Sequence, residues 1–149
     1  MAQEAEVATF VSGILNYFDT SLMHAAQVGT PYLALGRPPT TMDYTGMIRI
    51  SGSRQGMVYF TAPKSMLSVM LMRMQENDLS HDNFLDLVGE VANTLSGNAR
   101  RDFGSQFMIS VPNVLHGADE QMKDLPSARP IVIPIDWRNY HASLIVCLS

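Results

Sequence analysis

Apolar residues recur every three to four positions at the start of the chain. Val7, Phe10, Ile14, Phe18 and Leu22 fall on one side of a helix predicted over residues 4–27. The stretch "GTPYLALGRPPT" breaks that period and leaves room for a short strand near Tyr32–Leu35, before a loop at Pro38-Pro39. Residues 44–61, "YTGMIRISGSRQGMVYFT", predict two strands joined through a turn between Gly52 and Gly56. Pro63 suits the first position of a helix reaching about Asn77. Beyond "NDLSHDN", with Ser80 or Asp82 as cap, a longer helix is expected from about Asn83 to Asp102. Strand-like runs follow at 105–111, 130–135 and 141–148. Pro112 ends the first, Pro134 constrains the second, and the third, "HASLIVCL", is almost continuously apolar. The order of helix, strands, two helices and strands predicts an α/β sandwich: a largely antiparallel sheet with helices on one or both faces. No linker or low-complexity segment interrupts it, so residues 1–149 read as one domain.

The longer helix carries the densest chemistry. At 100° per residue, Phe84, Leu87, Val88, Val91 and Leu95 share one side of "DNFLDLVGEVANTLSGNAR". Asp86, Glu90, Asn93 and Gly97 fall within about 60° on the other, with Arg100 at the margin. Any amphipathic helix has a polar side, and a solvated face explains most of this one. The smallness of the strip is a separate matter. Gly97 costs about 1 kcal/mol against Ala in a helix interior, and Gly89 repeats that cost. A strip of two carboxylates, one amide and a bare backbone position would let another macromolecule approach closely. The first helix repeats the spacing: aligning Asn16 with Asn93 pairs Thr9 with Asp86, Gly13 with Glu90 and Thr20 with Gly97. A faint internal duplication follows, with both carboxylates in the second half only.

Composition and charge narrow the function classes. At 149 residues, 46% hydrophobic and 16% charged, the chain is neither disordered nor fibrous, and can bury a core without staples. A net charge of −4 gives no footprint for nucleic acid, and Arg100-Arg101 is the only adjacent basic pair. The opening "MAQEAEVATF" is acidic where a signal peptide would be basic, and no apolar run approaches the roughly 20 residues that cross a bilayer. A cytoplasmic protein is expected. Cys147 is the single cysteine, which excludes an internal disulfide and a zinc site built on clustered thiols. The 11 methionines read as filling of a core rather than as an adaptable surface.

Other candidate chemistry is poorly supported. His24, His81, His116 and His141 are scattered without metal-ligand spacing and read as surface or packed histidines. Ser96 and Ser105 lack the strand–turn–helix setting of a nucleophile elbow. "GSRQG" reads as a hairpin turn rather than a phosphate loop. Cys147 reads as buried packing, "DWRNY" as the closing turn, and Trp137 as either a core anchor or part of an interface.

The long helix resembles the signature helix of the CheC/CheX class of chemotaxis phosphatases: Asp or Ser, three residues, Glu, two residues, Asn, and a following Gly. Asp86, Glu90, Asn93 and Gly97 match it. "TGMIRISGSRQGMVYFTAPKSMLSVMLMRM" resembles the family's strand pair and next helix, "FMISVPNVLHG" its strand after the signature helix, and "RPIVIPIDWRNYHASLIVCL" its closing hairpin. One complete motif, in the second half, is more similar to CheX than to two-site CheC. The resemblance implies a CheC-like α/β sandwich and a phosphatase acting on the phosphoaspartate of a CheY-like response regulator. It gives Glu90 the role of engaging the regulator's active-site lysine and Asn93 that of orienting the attacking water. Asp86 and Gly97 would support the helix or the docked partner. No cofactor of its own is implied, since Mg2+ belongs to the regulator. The alternative is a non-catalytic CheC/FliM-like module that docks on a signalling or flagellar partner. Relatives of the CheX kind pair as homodimers through strands, and "HASLIVCL" is the expected pairing strand; the alternative is that it is central in its own sheet and fully paired.

Overall fold

A computed structural model describes residues 2–120, 122 and 129–149, with side chains from residue 4 onward. The elements run α1 (Ala2–Ser21), β1 (Gln27–Val28), β2 (Tyr32–Leu33), β3 (Tyr44–Gly52), β4 (Gly56–Ala62), α2 (Lys64–Arg73), α3 (His81–Phe103), β5 (Phe107–Ile109), β6 (Asn113–His116), β7 (Ile131–Trp137) and β8 (Tyr140–Leu148). The strands form one antiparallel sheet ordered β1-β7-β8-β4-β3-β5, with β2 also on β7 and β6 also on β3. The internal duplication reappears as topology. Each half is a helix, two short strands and a hairpin; β4 and β8 pair at the centre, and each pair of short strands borders the other half's hairpin.

Alternation along the strands separates two faces. Val58 and Phe60 of β4, Ile133 and Ile135 of β7, and Leu144 and Val146 of β8 point into the main core. There they meet Phe10, Ile14 and Phe18 of α1, Met66 and Met70 of α2, and Phe84, Val88, Val91 and Leu95 of α3. The three helices therefore cover one face. The opposite face holds a smaller cluster of Met57, Tyr59, Met122, Val132 and Ile145, against which Ala34 and Met47 pack. Methionine use is divided: Met57, Met66, Met70 and Met122 are buried, whereas Met23, Met72 and Met108 are exposed.

Several boundaries differ from the sequence expectation, for tertiary reasons. α1 ends at Ser21 rather than near residue 27, because Arg73 reaches across from α2. Its guanidinium donates to the Leu22 and Met23 carbonyls at 3.0 and 2.9 Å, and Met23 takes a positive φ of 54°. α2 is shorter than expected, and Pro63 stands at its cap, one residue before the first helical position. Ser80 caps α3 by accepting from the Asn83 N–H at 3.2 Å. β1 and β6 lie outside the strand-like runs of the sequence: neither has a buried alternation of its own, and each exists by pairing, with β7 and β3 respectively.

The expected pairing strand is corrected. "HASLIVCL" is β8, hydrogen-bonded to β4 on one side and β7 on the other. Its continuous apolarity reflects burial on both faces, and it has no edge to offer a second copy.

Candidate functional site

α3 seats on β3 at a point of unusually close approach. A Cβ at Gly46 would lie 2.1 Å from the Val88 carbonyl oxygen, so only glycine there lets the helix backbone rest on the strand. On the other side, Gly89 is buried beneath β6; a Cβ would come within 3.0 Å of Val114 Cγ1 and 3.3 Å of Pro112 Cβ. Gly89 therefore belongs to the helix–sheet packing, not to the outward strip. Past the C-terminus of α3, Arg100 donates to the carbonyls of Phe107 and Ser105, both at 3.1 Å, which ties the next loop to the helix.

This seating turns the opposite side of α3 outward. Asp86, Glu90 and Asn93 are exposed, and none makes a side-chain hydrogen bond among the described residues. Over this interval the helix advances about 10 Å, so a single partner can cover all three. Gly97 is half-buried, yet a Cβ added there would meet nothing within 4 Å. Packing within the chain thus does not require that glycine.

A depression of about 230 Å³ opens beside the first half of the strip. Asn83, Asp86, Leu87 and Glu90 of α3 line it, together with Leu71, Met74 and Glu76 from the end of α2. Glu76 is a third carboxylate that spacing along α3 cannot reveal, because the turn after α2 delivers it. It also accepts from the Asp78 N–H at 3.0 Å. Three carboxylates around one shallow opening suit a cationic side chain better than an anion.

α1 lies alongside α3, and its fifth turn brings Tyr17. This residue is 3% exposed, and its hydroxyl has no hydrogen-bond partner among the described residues. Such an orphan costs roughly 1–3 kcal/mol. Burial, and secondarily the charge of Glu90, pushes its phenol above the ordinary range. The sequence signal for Tyr17 was slight: one phenol inside an apolar stripe, next to Phe18. The first-helix counterpart of the strip is incomplete as a surface. Asn16 and Thr20 are exposed, with Thr20 Oγ1 donating to the Asn16 carbonyl at 2.7 Å, but Gly13 is buried against Leu95 and Asn98.

The remaining candidates have structural roles. Trp137 is a core anchor, 1% exposed, whose Nε1–H donates to the His24 carbonyl at 2.8 Å. Cys147 is buried, and burial raises its thiol above the ordinary range, away from thiolate chemistry. His81 and His116 pack with Tyr44, whose hydroxyl lies 2.9 Å from His81 Nδ1, and His141 pairs with Asp136. Among the described residues no group of three His, Cys, Asp or Glu is placed to hold a metal ion, and no helix is long and apolar enough to cross a membrane.

Comparison with known proteins adds the family. The family profile "Chemotaxis phosphatase CheX" matches residues 44–136, which include the whole strip on α3. The fold is similar to that of chemotaxis protein CheX from Desulfovibrio desulfuricans, with a TM-score of 0.85 at 23% identity over 97% of this chain and 99% of that one. CheX from Vibrio vulnificus gives 0.83 at 20% identity, over 97% and 99% of the two chains. The CheX–CheY–BeF3–Mg2+ complex from Borrelia burgdorferi gives 0.74 at 15% identity, over 96% and 97%. No curated protein matches the chain.

Proposed function

The chain belongs to the CheX family of chemotaxis phosphatases, and from that premise we propose that it hydrolyses the phosphoaspartate of a CheY-like response regulator. The observation that carries this reading is the outward strip of Asp86, Glu90 and Asn93 on α3, unengaged within the chain and inside the family match. In the reading, Asn93 orients the attacking water and Glu90 engages the regulator's active-site lysine. Asp86 and Gly97 shape the surface on which the regulator docks. We read residues 1–149 as one CheX-like domain that works in the cytoplasm, where it meets its regulator.

An acyl phosphate already carries a good leaving group. Water adds to phosphorus, the bond from phosphorus to the aspartyl oxygen breaks, and the aspartate leaves as carboxylate. Both protons of the water end on the phosphate, so no general base has to carry one away. What catalysis requires is a held nucleophile. An amide does this without titrating: its oxygen accepts from the water and its nitrogen donates. Asn93 stands one helical turn from Glu90, so a lysine drawn to Glu90 fixes the phosphoaspartate relative to the amide. The carboxylates around the adjoining depression favour that lysine. Mg2+ in this scheme is the regulator's and supplies charge neutralisation at the phosphoryl group; the Borrelia complex contains CheX, CheY, BeF3 and Mg2+ together.

The test is phosphate release from a phosphorylated CheY-like regulator, with and without the protein, alongside binding to the beryllofluoride-activated regulator. The phosphatase reading expects faster release. Binding with unchanged decay would instead make the chain a docking module of the CheC/FliM-like kind.

A further inference from the structure

Tyr17 is an anomaly that core packing does not explain. Its ring lies edge-on to Phe18 at 5.4 Å, in a stripe where Phe10, Ile14 and Phe18 are all buried. A phenylalanine would fill the same space and leave no orphaned hydroxyl.

The helix pairing shows which turn of α3 Tyr17 lies against. Phe10 of α1 meets Phe103 near the end of α3, with ring centroids 6.5 Å apart. Gly13 comes next to Leu95 and Asn98, where a Cβ would lie 3.7 and 3.9 Å from their side chains. The helices are therefore antiparallel, and each step toward the C-terminus of α1 moves toward the N-terminus of α3. One turn beyond Gly13, and on the same side of α1, Tyr17 is level with residues 91–94, the turn of α3 next to Glu90. The electrostatics agree: the charge of Glu90 is felt at the Tyr17 phenol, second to burial, and both keep the phenol protonated and able to donate.

We infer that the Tyr17 hydroxyl positions Glu90: as the regulator docks, one oxygen of the Glu90 carboxylate turns inward to accept from the hydroxyl, and the other is left aimed at the regulator's lysine. Glu90 is exposed and makes no hydrogen bond among the described residues, so its long side chain is free to make this turn. A carboxylate can accept at both oxygens at once. Fixing one end lowers the ordering cost at the moment of binding. The inference rests on the phosphatase reading, and assigns it a residue on a different helix from the motif.

The test is Tyr17→Phe, alone and combined with Glu90→Ala. Thermal unfolding, affinity for the beryllofluoride-activated regulator, and dephosphorylation rate against regulator concentration are measured for each. Tyr17→Phe should fold with a melting temperature equal to or above that of the wild type. It should raise Kd and KM about 10-fold, the scale of a hydrogen bond to a charged group, with kcat changed less than about 2-fold. In the Glu90→Ala background it should have no further effect on Kd. Wild-type Kd and KM in Tyr17→Phe overturn the inference. So does an equal loss with and without Glu90, which marks a structural role. If the wild type binds the regulator without speeding its decay, the phosphatase reading fails, while the Kd cycle still decides the coupling. If the wild type neither binds nor accelerates, both fail together.

Discussion

Asn93 and Glu90 are one turn apart on α3, and removing each tests a different step of the proposed reaction. Asn93 is exposed and lies opposite Val91 and Leu95, so Asn93→Ala removes little apolar contact and should leave the fold and docking intact. It should lower turnover about 100-fold, the order expected when a reactant loses its alignment. Glu90→Ala should weaken the encounter itself, by roughly 2–5 kcal/mol, because it leaves the regulator's lysine unpaired in the interface. Asp86→Ala should be milder than either. Circular dichroism, affinity for the beryllofluoride-activated regulator and dephosphorylation rate separate the three. A folded, bound and fully active Asn93→Ala would reduce the strip to a docking surface. Tyr17 adds a prediction about pH. Its phenol is raised above the ordinary value of 10.0 by burial, with Glu90 second. Above about pH 10 the unfolded chain releases this proton while the folded chain retains it, so stability must fall as pH rises. The slope from this one group approaches about 1.4 kcal/mol per pH unit. Tyr17→Phe should flatten the decline measured by denaturant titration between about pH 9 and about pH 11. Tyr44, also raised by burial, keeps its own contribution in the variant.

Within α3, two glycines one turn above and one turn below the Asn93 level have opposite environments. A methyl group at Gly97 meets nothing within 4 Å, so Gly97→Ala should recover the helix-propensity cost and stabilise the protein by about 1 kcal/mol. Gly97→Trp should still fold but obstruct the regulator, and that divergence between stability and affinity is the measurement. Gly89→Ala places its methyl 3.0 Å from Val114 and 3.3 Å from Pro112, so strain cancels or exceeds the same propensity gain. Thermal unfolding of the pair should therefore split, with only the Gly97 variant melting higher. The two glycines look alike in sequence, and this is a measure of what was legible. α3 could be read because its apolar period is strong and Ser80 caps it locally. The outward strip followed from the same period. The end of α1 could not be read, since it depends on Arg73 from another helix. β6 has four exposed residues and no alternation, so only β3 makes it a strand. Glu76 and Tyr17 reach the site through the packing of α2 and α1 against α3, and no spacing along one helix encodes such a meeting.

For the whole molecule, the repeated halves decide where a second copy can join. Both hairpins are internal, and β4 and β8 are consumed by pairing with each other. What lies outside are the short-strand pairs, β1 with β2 beside β7, and β5 with β6 beside β3. The β5–β6 side exposes Met108, Val111, Val114 and Leu115, with Val111 reaching 81%, and the β1–β2 side exposes Tyr32, Leu33 and Leu35; of the two, only β5–β6 includes a strand of four residues that are all exposed. An uncovered apolar edge is a template for strand pairing. A two-fold axis would set this edge against itself, burying the same residues from both copies. The homodimer expected through β8 is accordingly reassigned to β5–β6 as a prediction. Light scattering at micromolar concentration should give a dimer mass for the wild type. Val111→Asp and Leu115→Lys, both exposed positions that take no part in the core, should give folded monomers. Because α3 lies beside α1 on the helical face of the sheet with its strip facing out, those monomers should still bind the regulator. A monomeric wild type would remove the dimer, and a dimer that survives both substitutions would move it to the β1–β2 edge.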